Sequence, residues 1–351
     1  MLPEPGSTKI QLSKPDWYQA ISKYGQPDRR KATWQILDTV IPYLALWVLM
    51  VYAVQRGYSY WITLTLGIAA AGLLLRIFIL FHDCSHGSFF ASHRANRILG
   101  YICGILAFTP YENWRRSHAM HHATVGDLDR RGVGDVWTLT VEQYSAAPRW
   151  KRLAYRLFRN PFVLFGIGPG VLLCLVNRFP HKGAKKHEHY SVILTNLAIL
   201  AIVGVASLTI GLRTYFLIQL SIILIAGTVG VWLFYVQHQF EGVYWARHGD
   251  WDPMRASLEG SSYYRLPKVL QWFTGNIGLH HVHHVQPRIP NYNLQRCYDD
   301  IPALQAVEPL TIRKSLKSLW LNLWDEDQQK LVGFRSLKKR PGGGRSPYSA
   351  S

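Results

Sequence analysis

The apolar positions of this chain fall in long runs and do not alternate with polar ones. Four runs approach or exceed the about 20 residues that a membrane-crossing helix needs: 39–54, 58–81, 191–212 and 214–236. Arg76 is the one charge inside the second run, and the last two runs carry none. Gln55, Arg56 and Gly57 separate the first pair and Arg213 separates the second, so each pair predicts a tight helical hairpin. Two weaker stretches, 98–110 and 161–176, are not expected to cross: the first is too short, and the second is broken by Gly166, Gly168, Pro169 and Gly170. They are expected to lie in the interface or beneath a cap. The fold class that follows is all-α and integral to the membrane, with four transmembrane helices in two hairpins and a cytoplasmic helical cap.

Composition agrees, since 48% hydrophobic residues, 17% charged residues and 13 Trp are too apolar a mixture for an ordinary soluble chain. The 39 Lys and Arg against 21 Asp and Glu leave a net charge of +18, which suits nucleic acid, an anionic membrane face or an acidic partner. Four spans place all of these basic residues except Arg56, Arg213 and the intramembrane Arg76 on one side. By the positive-inside rule that side is the cytoplasm, and both termini lie there. Topology therefore accounts for most of the charge, and no nucleic-acid partner is expected. Residues 1–33 are polar and carry four prolines, which predicts neither signal peptide nor anchor; residues 34–331 form the membrane domain, and 332–351 read as a disordered basic tail. Cys84, Cys103, Cys174 and Cys297 are too dispersed for a disulfide framework or a zinc ribbon.

Fifteen histidines are the outlier, and most of them cluster. His82 and His86 stand four apart; His118, His121 and His122 follow at offsets of zero, three and four; His280, His283 and His284 repeat those offsets, with His281 beside them. On a helix such offsets share a face. Neutral imidazole suits Fe, Zn, Cu or Ni, and eight ligands exceed the about four that one tetrahedral zinc uses, so two metal ions are expected. An even number of spans must separate the second group from the third, and the hairpin over 191–236 supplies two. His238, at the end of the last span, is a ninth candidate. Asp83, Glu112, Asp127 and Glu241 are candidates to hold the second ring nitrogen of a ligand, and Asn276 is a candidate for direct or water-mediated metal contact.

The boxes H-x-x-x-H, H-x-x-H-H and H-x-x-H-H, with a hairpin between the second and third, resemble the membrane fatty acid desaturase family. Phe-His-Asp-Cys-Ser-His-Gly-Ser-Phe-Phe, Tyr-Val-Gln-His-Gln-Phe-Glu and Gly-Asn-Ile-Gly-Leu-His-His-Val-His-His are similar to its acyl-lipid, omega-6 (delta-12-like) branch of bacterial or plastid type. The resemblance runs from about Trp34 to Asp300. It implies a centre of two iron ions held by the eight box histidines, with O2 as co-substrate, acting on a membrane acyl lipid to insert a cis double bond. It also implies a bacterial inner-membrane protein with an external electron donor. A ferredoxin-type donor fits the basic face better than cytochrome b5, and no His-Pro-Gly-Gly segment of a fused cytochrome b5 domain is present. Two rivals are a hydroxylase or ketolase of an acyl chain, carotenoid or alkane on the same scaffold, and a non-catalytic metal binder or transporter. A transporter would place its ligands near the midplane of broken helices, whereas these histidines gather at span ends and beyond.

Overall fold

The second apolar run is the axis of the molecule. In the computed structural model, which describes residues 16–339, that run is helix α2 (Tyr60–His86), and 61% of its apolar window is buried against 22%, 17% and 33% for the other three long helices. The helix before it, α1 (Arg29–Gln55), starts where the Asp28 carboxylate accepts the backbone N–H groups of Arg30 and Lys31. Gly57, at φ +72°, turns the chain between the two. After α2 come α3 (His93–Leu106), α4 (Tyr111–Thr124) and α5 (Arg149–Phe158), then the second hairpin of α6 (Lys186–Thr209) and α7 (Leu212–His238). The shorter helices of the cap include α8 (Lys268–Phe273), α9 (His280–Val285) and α10 (Asn291–Asp300). Among the described residues four helices are long and apolar enough to span a membrane, and each extends beyond the apolar run that announced it. The extra turns fall at the start of α1 and α6 and at the end of α2 and α7; in the first two, Gln35 bonds Asn291 and Glu188 pairs with Arg116 of the cap.

Close approach explains how α3 packs against α4 and α2, where a Cβ on Gly104 would also lie 2.9 Å from the Phe81 ring. A Cβ on Gly100 would meet the Tyr111 ring at 2.2 Å, and one on Gly104 would meet the Thr109 carbonyl oxygen at 2.5 Å. Side chains at either position would hold α3 and α4 away from the core formed by Phe81, Cys84, Cys103 and Tyr111.

The stretch 161–176, expected in the interface or beneath the cap, is helical, bends away from α5 and packs against α7. Phe162–Ile167 and Gly168–Cys174 run inward beside α7. There the Phe165 carbonyl accepts from Thr228, and Gly227 leaves only 3.0 Å between a notional Cβ and Pro169 or Leu173. Both ends return to the cap: Arg159 bonds Tyr235 and Gln239, and the His181 N–H donates to Asn113 of α4. The segment therefore packs along α7 with both of its ends beside the cap.

The cap is not purely helical. Strands β1 (Leu139–Thr140), β2 (Tyr263–Arg265), β3 (Pro309–Thr311), β4 (Leu323–Asp325) and β5 (Lys330–Val332) form a β1-β4-β5 sheet and a β2-β3 pair. These short ladders tie the C-terminal chain to the cap, with Trp324 fully buried. The expected disorder after 331 does not hold for 332–339, where Val332 is paired in β5 and Phe334 packs with Tyr144 and Tyr155. Residues 1–15 and 340–351, the remainder of the two terminal expectations, lie outside the described residues. Ahead of α1, Ile21 and Tyr24 are buried against Leu279, Ile289 and Leu294, and the Tyr24 hydroxyl donates to Asp300.

Candidate metal centre

Four helices bring nine imidazoles together: α2 through His82 and His86, α4 through His118, His121 and His122, α7 through His238, and α9 through His280, His283 and His284. They sort into two groups, each with its ligand atoms within 4.8 Å of one another. The first is His82, His86, His118, His122 and His283; the second is His121, His238, His280 and His284. Helical geometry contributes to this division: residues four apart share a group, the first for the pairs on α2 and α4 and the second for the pair on α9, while the residue at offset three, His121 or His283, joins the opposite group.

The contacts are made by Nε2. His118 lies 3.0 Å from His86 and 3.1 Å from His122, and His283 lies 3.0 Å from His122. In the second group His238 lies 3.0 Å from His121 and 2.9 Å from His280, and His284 lies 3.1 Å from His280. Burial is the first cause, and neighbouring imidazoles the second, that hold His118, His122, His280, His283 and His284 well below the usual histidine range. They are neutral, the form that binds a metal. Nine mutually close, mostly buried acceptor nitrogens have too few protons to satisfy one another, and a cation in each group resolves this.

With Nε2 facing inward, Nδ1 carries the proton and needs an acceptor. Asp83 Oδ1 lies 3.1 Å from Nδ1 of His82, and the other carboxylate oxygen of Asp83 accepts the Asn291 backbone N–H at 2.6 Å and its side-chain amide at 2.8 Å. Asn291 is held in turn by Gln35. Nδ1 of His121 meets Asp135 at 2.6 Å, and Nδ1 of His238 meets the Gly260 carbonyl at 3.1 Å. Trp114 stacks on His118 with centroids 4.2 Å apart, and Phe234 packs edge-on to His238. These rings form apolar walls around the centre.

Of the candidate orienting groups, Asp83 alone reaches a box histidine. Glu112 pairs with Arg115, and its N–H donates to Ser191. Asp127 meets Nδ1 of His248, outside both groups. Glu241 is exposed and pairs with Lys317, because the chain turns away from His238 at Gln239. Asn276, at φ +59°, forms a turn and donates to the Asn291 carbonyl, away from the nine imidazoles. Asp135 was missed. Its signal was the Gly-Val-Gly-Asp segment, where Gly134, at φ +77°, lies so close to α4 that a Cβ would sit 2.7 Å from the Ser117 carbonyl oxygen. His281 is fully buried but faces away from both groups: its Nε2 lies 3.0 Å from the Leu304 carbonyl, and burial lowers its pKa to about 4.

The sequence model of the family described as Fatty acid desaturase matches residues 57–314. A fatty acid desaturase of Bacillus subtilis (strain 168) is 47% identical over 321 residues, covering 92% of this chain and 91% of its own. More distant relatives include an sn-1 acyl-lipid omega-3 desaturase (ferredoxin) of Nostoc sp. (strain 36), 23% identical with 83% and 77% covered. An sn-1 oleoyl-lipid 12-desaturase of Synechocystis sp. is 24% identical with 64% of each chain covered. Four long apolar helices, two of them ending in a pair of imidazole clusters that cap helices complete, together with these matches over most of the chain, mark a membrane oxidoreductase, and the chain belongs to the fatty acid desaturase family.

Proposed function

We propose that this desaturase inserts a cis double bond into the acyl chain of a membrane lipid at a centre of two iron ions, with O2 as co-substrate. The observation that carries the reading is the convergence of nine Nε2 atoms in groups of five and four. Neighbouring Nε2 atoms stand 2.9–3.1 Å apart, close enough for the imidazoles of each group to share one cation, and neutral imidazole suits iron.

Bound iron would supply the redox chemistry needed to activate O2 and remove two hydrogens from an unactivated chain, which acid-base side chains cannot do. The protein's own part is placement. Asp83, Asp135 and the Gly260 carbonyl hold three imidazoles in one tautomer and one orientation. Trp114 and Phe234 keep water from the side of the centre they cover. The histidines gather at span ends on one side, so an amphiphilic substrate enters from the lipid while electrons arrive from the aqueous face. The excess of basic residues supports assigning that face, with both termini, to the cytoplasmic side of a bacterial inner membrane. They suit an acidic ferredoxin-type donor, and the Nostoc and Synechocystis relatives support an acyl-lipid substrate.

The test is expression in a host with a simple lipid profile, followed by fatty acid chromatography with double-bond location and metal analysis of the purified protein. Products two mass units lighter with about two irons per chain support the reading. Products sixteen units heavier indicate hydroxylation, and stoichiometric zinc with full activity removes the redox assignment.

A further inference from the structure

We propose that a cavity where α1 enters the membrane beside α2 and α8 binds the phosphodiester of a phospholipid head group. The proposal rests on the acyl-lipid reading above and names the class of lipid. The cavity holds about 330 Å3 and is lined among others by Lys31, Asp38, Arg76 and Lys268, a size within the range of small-ligand pockets.

Its level follows from α1. Trp34, Leu37, Ile41, Leu44 and Val48 are exposed along one stripe of that helix, at spacings of three and four, so this stripe faces lipid. Lys31 lies one turn above Trp34 on the same stripe and ends the apolar surface. Trp34 and the part-exposed Trp272 form the aromatic rim expected at head-group depth. Val269 and Leu270 of α8 continue the apolar exposure on the other side.

Its charge follows from the pairing. Arg76 is buried, donates to Thr39 and stands 3.6 Å from Asp38, so the one carboxylate in the cavity wall is matched. Lys31 donates to Asn293 at 2.9 Å and keeps further N–H groups, and neither Lys31 nor Lys268 has an ion pair among the described residues. Two uncompensated ammonium groups beside a buried guanidinium, at an interface rimmed by tryptophan, suit a phosphodiester. The cavity is also joined to the metal centre, since Gln35 and Asn291 line it and Asn291 grips Asp83 beside His82.

The test uses the full chain with its metal bound, and measures binding of a fluorescent phosphatidylglycerol, then of a diacyl glucoside with the same chains. Lys31→Glu with Lys268→Glu should weaken phosphatidylglycerol binding roughly ten- to hundredfold, the scale of losing charge-assisted hydrogen bonds, with glucoside binding and metal content unchanged. The exposed Lys182→Glu, remote from the cavity in sequence, serves as the charge control. In turnover, KM should rise while kcat holds. Equal binding of both lipids by the unaltered protein, or unchanged phosphatidylglycerol binding in the double variant, overturns the proposal. Displacement of the label by millimolar inorganic phosphate, with no preference between the lipids, would assign the cavity to free phosphate instead. Because binding is read without turnover, absence of any double bond would count against the desaturase reading alone.

Discussion

Nδ1 of His121 lies 2.6 Å from Oδ1 of Asp135, the shortest of the contacts that orient an imidazole in either group. The carboxylate is delivered by a loop, not by a helix carrying the boxes, and its second oxygen accepts the Gly132 N–H at 3.3 Å. His121 belongs to the four-imidazole group, where each ligand is a larger share of the donor set.

Asp135→Ala is expected to lower metal affinity of that group by about 10- to 100-fold, the usual cost of removing a partner behind a ligating histidine, and Asp135→Asn by less. Competition against a chromophoric chelator measures it. An affinity equal to that of the unaltered protein in Asp135→Ala would separate the loop from the centre.

His238 and His281 exchange the importance that adjacency in sequence suggests. His238→Ala should leave the second group with three imidazoles and about one iron per chain. His281→Ala should keep both irons, yet lose stability by about 1–3 kcal/mol because it leaves the buried Leu304 carbonyl unpartnered. Iron analysis with thermal unfolding of the two variants separates the roles, and full iron in His238→Ala would remove that residue from the centre.

How much of this could be read from the chain depends on the range of the interactions involved. Apolar runs and offsets of three and four are local, so the helices and the eight box histidines were legible. His238 was legible because a span end must emerge near the cap. The division into five and four was not, since it requires the crossing of α4 and α9 over the ends of α2 and α7. Orienting groups were the least legible. Glu112, Asp127 and Glu241 stood near histidines in sequence but pair with Arg115, His248 and Lys317, while Asp135 and the Gly260 carbonyl arrive through loops. The inward course of 161–176 depends on Gly227 and on the grip of Thr228, neither of which lies within the segment.

Gly260 tests whether a backbone carbonyl alone can tune the centre. A Cβ there would sit 2.4 Å from the Ala256 carbonyl oxygen, so the turn must shift, and it carries the oxygen that meets His238. Gly260→Ala is expected to lower metal occupancy of the second group while leaving all nine imidazoles in the chain. Iron retained at the full ratio, together with an unchanged absorption spectrum of the iron-loaded protein, would show that the turn relaxes without moving His238.

The two groups differ in access. His86 and His122 of the first are half-buried, whereas all four members of the second are buried. A chelator reaches an ion by catching ligands as they open, and opening costs least where packing is incomplete. Incubation with excess chelator should therefore remove iron in two phases, the faster from the first group. His238→Ala supplies the assignment: it deletes a ligand from the second group only, so it should abolish the slow phase and leave the fast one at its original rate. Loss of both ions in one phase, or survival of the slow phase in His238→Ala, would mean that exposure of His86 and His122 does not set the order of release.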